Sequence, residues 1–163
     1  MKRGNASARL VALLAAAERL VIATLMAAIT LLTLAQVIWR YVLEMPIQWS
    51  EEVARYCFVW VTFLGAAALM RLGEGHPAID TLHQSVGPGF QRVLRIVSHL
   101  VVIGGSLAIA TGGLRMVQLQ WHQLSPSVEV PMAWIYSAML VGPLIGIFWI
   151  VWCARYGVVD DEP

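Results

Sequence analysis

Four stretches of this chain carry no formal charge, and their lengths constrain the fold more than anything else in it. Residues 20–39, 56–70, 96–114 and 132–152 make runs of 20, 15, 19 and 21 residues. Arg19 and Arg40 flank the first run, Arg95 and Arg115 the third, and Arg155 follows the fourth. The second gains a turn through Glu51, Glu52 and Arg55. A helix rises ~1.5 Å per residue, so 20 residues cover the roughly 30 Å hydrocarbon core of a bilayer. Backbone in lipid must satisfy its own hydrogen bonds, so runs of this kind are helices. The expected fold is an all-α membrane protein with four transmembrane helices, at about 20–39, 51–70, 93–114 and 132–152. They form one membrane domain over residues 1–163.

Composition agrees. Of 163 residues 59% are hydrophobic and 13% charged, where a soluble domain carries about a quarter charged. That leaves too little polar surface for an ordinary soluble enzyme. A net charge of +1 provides no field to hold nucleic acid. Counting Lys and Arg gives the orientation. With the N-terminus cytoplasmic, Lys2, Arg3, Arg9, Arg19, Arg71, Arg92, Arg95 and Arg155 fall inside, against Arg40, Arg55 and Arg115 outside. Both termini are therefore expected in the cytoplasm. Trp39, Trp49, Trp121 and Trp134 then mark the outer interface and Trp149 and Trp152 the inner one. The first run is too long for a signal-peptide core and lacks a small-residue cleavage site, so it reads as an uncleaved span. Residues 8–17 also read as helix, which would tilt or project into the cytoplasm.

Between the second and third spans, Gly73, Gly75 and Pro77 stop one helix. Asp80 could then cap a short interfacial helix presenting Ile79, Leu82 and Val86 on one face. Gly104, Ala108 and Gly112 in the third span, and Ala138, Gly142 and Gly146 in the fourth, form smooth stripes at four-residue spacing. Such stripes let helices approach closely, within the chain or against another. Pro143 marks a bend in the fourth span.

Chemistry-bearing residues are sparse. His76 and His83 lie in the inner loop, His122 in the outer loop, and His99 alone within a span. Bis-histidine haem ligation needs two imidazoles at matching depth, so no cofactor is expected, and no metal. Cys57 and Cys153 fall near opposite faces and should not bridge. A stand-alone four-helix exporter would need an ionisable residue at mid-depth, and none is there. Gln36 and Thr33 share a face suited to bonding between helices. No residue is assigned a catalytic role.

The densest polar group is the junction of the first two spans: Arg40-Tyr41, Pro46, Trp49-Ser50-Glu51-Glu52 and Arg55. Ser50 fits an N-cap, the two acids complement the helix dipole, and Glu51 can pair with Arg55 four residues on. A well-made helix start accounts for the capping. A rim of Arg40, Tyr41, Trp49, Glu51, Glu52 and Arg55 also has the composition of a protein contact surface. The residue types alone leave both readings open.

This order of residues, continuing through Tyr56, Trp60, Gly65-Ala66, Arg71, Gly75-His76, Asp80, Pro131, Trp134 and Tyr136, resembles the small membrane subunit of TRAP (tripartite ATP-independent periplasmic) transporters, the DctQ-like family. The likeness covers nearly the whole chain, with Pro77 and the placement of Pro143 departing from the pattern. The resemblance implies a non-enzymatic scaffold subunit in a bacterial inner membrane. Its partners would be a large multi-helix permease subunit, a periplasmic substrate-binding protein and membrane lipid, with no nucleic acid. The transporter would import an organic acid, typically a carboxylate, by sodium symport. The other function classes kept in view are a membrane cytochrome or respiratory-complex anchor and the stand-alone exporter.

Overall fold

The first three apolar runs each lie inside a longer helix of the computed structural model, which describes residues 3–45, 47–71 and 88–156. Helix α1 spans Arg3–Tyr41, α2 Gln48–Arg71 and α3 Pro88–Leu119. A single turn, α4, spans Ala133–Tyr136, and α5 spans Ala138–Tyr156. Four helices are long and apolar enough to cross a membrane, the fourth span running Ala133–Tyr156 across the α4–α5 junction. The short interfacial helix expected around Asp80, with His76 and His83, lies outside the described residues.

The helices outrun their apolar runs because charged residues at helix ends extend into headgroups and water. α1 is the extreme case. Its 39 residues make ~58 Å of helix, close to twice the hydrocarbon core. The continuous helix expected from the 8–17 segment is present. Its threonine hydroxyls are satisfied within it: Thr24, Thr30 and Thr33 each donate to the carbonyl four residues back, at 2.8–2.9 Å. Thr33 therefore makes no bond between helices, because the i−4 carbonyl is the nearest acceptor in an apolar surround.

Neighbouring helices pack in the order α1–α2–α5–α3, and no comparable seam joins α1 to α3. The spans thus form an open row with α1 and α3 at its edges. Close approach explains the α2–α5 and α3–α5 seams. A Cβ built on Gly142 would lie 2.6 Å from Phe63 Cβ, and one on Gly113 2.8 Å from the Met139 carbonyl carbon. Only the missing side chain lets these backbones touch. The Ala138–Gly142–Gly146 stripe faces inward, with Ala138 fully buried and Gly146 against Met70 and Ala67. By contrast Gly104 and Gly112 meet nothing within 4 Å, and Ala108 is exposed. That stripe looks away from the rest of the chain.

Pro143 sits inside α5, and the break in the fourth span comes earlier, at Ser137. There the Ser137 hydroxyl donates to the Trp134 carbonyl at 2.6 Å. The Ser137 carbonyl accepts from both Leu140 and Val141. A small core joins Val11, Ala15, Ala67 and Trp149 near the C-terminal ends of α2 and α5, tying α1 to α5 as well as to α2.

Candidate functional site

Two adjacent acids begin the outer site. Consecutive helix residues point about 100° apart, so Glu51 and Glu52 near the start of α2 face different neighbours. Gln36 and Arg40 are one turn apart on α1 and share a face. Both donate to Glu51 Oε1, Arg40 from Nη2 at 2.7 Å. The pair is half exposed, at 50% for Arg40 and 47% for Glu51. The Glu51–Arg55 pairing expected from helical spacing is absent. Arg40 reaches across from α1 and takes the carboxylate, leaving Arg55 exposed and without an ion pair among the described residues.

Glu52 points the other way and is buried, at 7% exposure. It accepts the Tyr56 hydroxyl and, at 2.8 Å, the backbone N–H of Ser127. Ser127 belongs to the loop joining α3 to α4. The loop closes on itself through Ser125 N–H to the Val130 carbonyl at 2.9 Å, Met132 N–H to the Gln123 carbonyl at 2.8 Å, and a bridge between Leu124 and Pro131. Glu129 turns the chain with a left-handed φ of 56°. A carboxylate accepting a backbone N–H and a phenol is a charge-assisted arrangement, so Glu52 holds the loop against α2.

Ser50 is not the N-cap. α2 begins at Gln48, and the Ser50 hydroxyl donates to the Ile47 carbonyl at 2.7 Å. Of the remaining junction residues, Tyr41 and Trp49 are exposed at 76% and 50%, while Pro46 lies outside the described residues. Between α2 and the loop lies an open cleft of about 590 Å³. Gln48, Glu51, Arg55, Gln123 and Ser127 border it, and Val59, Leu124, Met132 and Ile135 supply apolar wall.

A second polar cluster, at the opposite end, went unread in the sequence. Arg71 and Trp149 are each 1% exposed and Glu18 8%. Arg71 Nε lies 3.5 Å from Glu18 Oε2, which also accepts Trp149 Nε1–H at 3.1 Å. The Arg71 guanidinium sits 5.6 Å from the Trp149 ring centroid, within range of a cation–π contact. Cys153 Sγ donates to the Arg71 carbonyl at 3.3 Å. Trp149, expected at the inner lipid interface, is instead buried because its N–H finds a carboxylate inside the chain. The signal was available. Glu18 and Arg71 end adjacent spans on the same side, and opposite charges at one depth pair in a membrane.

Among the described residues no group of three His, Cys, Asp or Glu side chains could hold a metal ion. Cys57 and Cys153 form no disulfide. The family model described as "Tripartite ATP-independent periplasmic transporters, DctQ component" matches residues 29–157. A Haemophilus influenzae protein named as a TRAP transporter small permease is 27% identical over 112 residues, covering 69% of this chain and 67% of that protein. A second so named, from the same species, is 24% identical over 122 residues and covers 75% of each. The sialic acid TRAP transporter permease protein SiaT of Haemophilus influenzae is 27% identical over 125 residues. These make up 77% of this chain and 20% of SiaT.

Proposed function

The chain belongs to the DctQ component family of tripartite ATP-independent periplasmic transporters, and we propose that it is the scaffold subunit of a sodium-coupled importer of organic acids. It is a multi-pass membrane protein of the small permease type, a transporter subunit and not an enzyme. On the proposed reading it lies in the inner membrane with both termini cytoplasmic, beside a large permease subunit that carries the substrate and ion path. A periplasmic binding protein delivers the substrate. The relative named for sialic acid, a carboxylate, supports an acidic substrate class.

The observation that carries the scaffold role is where the charges are. The ion pairs Arg40–Glu51 and Arg71–Glu18 both join α1 to α2, one near each end of the two helices. Among the described residues, the helix centres between them offer a coupling ion no carboxylate, the kind of group that marks an ion path within a membrane. Two surfaces are proposed for partners. Gly104, Ala108 and Gly112 face outward on α3 and suit a helix of the large subunit. Arg40, Tyr41, Trp49 and Arg55 form the exposed outer rim, which Glu51 and Glu52 organise from within. Purification in mild detergent tests the reading. A large multi-helix partner should accompany the chain at a fixed ratio, and its absence would sink the scaffold role.

A further inference from the structure

We propose that the outer cleft between α2 and the α3–α4 loop is a binding site for a zwitterionic phospholipid of the phosphatidylethanolamine class. This stands apart from the transporter reading, because it uses only the membrane span and the cleft.

Depth comes first. α2 starts at Gln48, and Arg55 lies seven residues further along. At ~1.5 Å per residue that is ~10 Å below the helix start. Headgroups occupy roughly 5–7 Å on each side of the hydrocarbon core. With Trp49, Trp121 and Trp134 exposed and taken to mark the interface, Arg55 falls a few Å below the level where headgroup meets acyl chain, within reach of its side chain. A guanidinium there snorkels to phosphate, which it can bind bidentately. Below it the wall turns apolar, with Val59 one turn deeper on α2 and Ile135 opposite. Above it, Gln123 and Ser127 of the loop border the opening.

Charge comes second. Of the three charged residues lining the cleft, Glu52 is taken up by Tyr56 and Ser127. Glu51 uses Oε1 for Arg40 and Gln36, which leaves Oε2 to accept a further donor. Arg55 has no ion pair among the described residues. One turn of helix, ~5.4 Å, thus separates an available cation from an available carboxylate oxygen. A phosphoethanolamine head, with phosphate and ammonium joined by a two-carbon linker, meets both. A purely anionic head gains Arg55 but brings no donor to Glu51 Oε2, the oxygen that Arg40 and Gln36 leave open.

Purified protein is placed in nanodiscs of equal phosphatidylethanolamine and phosphatidylglycerol, released, and the retained lipid counted by native mass spectrometry. The wild type should keep phosphatidylethanolamine in preference. Arg55→Gln should retain about tenfold less, the weight of a charge-assisted hydrogen bond. Equal retention by Arg55→Gln, or preference for phosphatidylglycerol, overturns the proposal. Should that variant fail to fold, the wild type decides alone. Its unfolding midpoint in detergent should rise with added phosphatidylethanolamine and not with phosphatidylglycerol or inorganic phosphate. No rise, or an equal rise with either of the others, also overturns it.

Discussion

Gly142→Ala tests the order of helices in the row. A Cβ at Gly142 would stand 2.6, 2.8 and 2.9 Å from Phe63 Cβ, O and C. Carbon atoms pack best at about 3.5–4.0 Å, so α2 and α5 must part by close to 1 Å along this seam. Two of the three neighbours are backbone, so no rotamer change relieves the clash. Overpacking of this kind costs about 1–3 kcal/mol. With backbone atoms in the clash the cost falls at about 2–3 kcal/mol of that range; alanine in place of glycine returns up to about 1 kcal/mol of helix propensity, which leaves a net loss of about 1–2 kcal/mol. Gly104→Ala is the internal control. Its Cβ meets nothing within 4 Å, so only the propensity remains and the isolated chain gains up to about 1 kcal/mol. The two substitutions are chemically identical and should move stability in opposite directions. Thermal or SDS-induced unfolding of the purified chain, followed by far-UV circular dichroism, reads both. If Gly142→Ala is as stable as wild type, the α2–α5 seam is not where the structure puts it.

The inner cluster should behave as a buried pair. Glu18→Leu removes the carboxylate that Arg71 and Trp149 share and should cost about 3 kcal/mol, while Glu18→Leu with Arg71→Met costs less than the single change; a double variant worse than either single would refute this, read in the same unfolding assay. The adjacent acids should separate in hydrogen exchange. Glu52→Gln should speed exchange across residues 120–131, since Glu52 holds the Ser127 amide, whereas Glu51→Gln should leave that loop unchanged. Equal effects from the two would remove the assigned division of labour.

The spans were legible because length and charge suffice to identify them, and the two stripes could be read from spacing alone. Which stripe turns inward could not. α5 is apolar on every side, so no polar face tells it from lipid-facing helix. Gly142 reveals itself only once Phe63 is brought beside it. The outer junction was legible as a concentration of polar residues but not as a circuit. Helical spacing offered Glu51 a partner in Arg55, yet Arg40, eleven residues away in sequence, is the one that reaches it. Glu52 meets its loop across 75 residues. Local periodicity carries no information about such contacts, and adjacent acids look equivalent until the helix order gives each a different neighbour.

The two ion pairs acquire a common meaning through their spacing on α1. Glu18 and Arg40 are 22 residues apart on one continuous helix, which is ~33 Å at ~1.5 Å per residue. That is close to the thickness of the hydrocarbon core. α1 is therefore joined to its neighbours by charge at two levels one bilayer apart, through Glu51 of α2 at one and Arg71 of α2 with Trp149 of α5 at the other. Between these points its packing is apolar, and apolar contacts between helices have little advantage over lipid. An edge helix held only by such contacts could slide or tilt. Polar clamps one bilayer apart oppose both motions, because either would strip a charge of its partner where water is scarce. On the proposed scaffold reading, an edge helix kept in register serves a surface that the large subunit leans on. It would be of little use to a chain that moved substrate by rearranging its own helices.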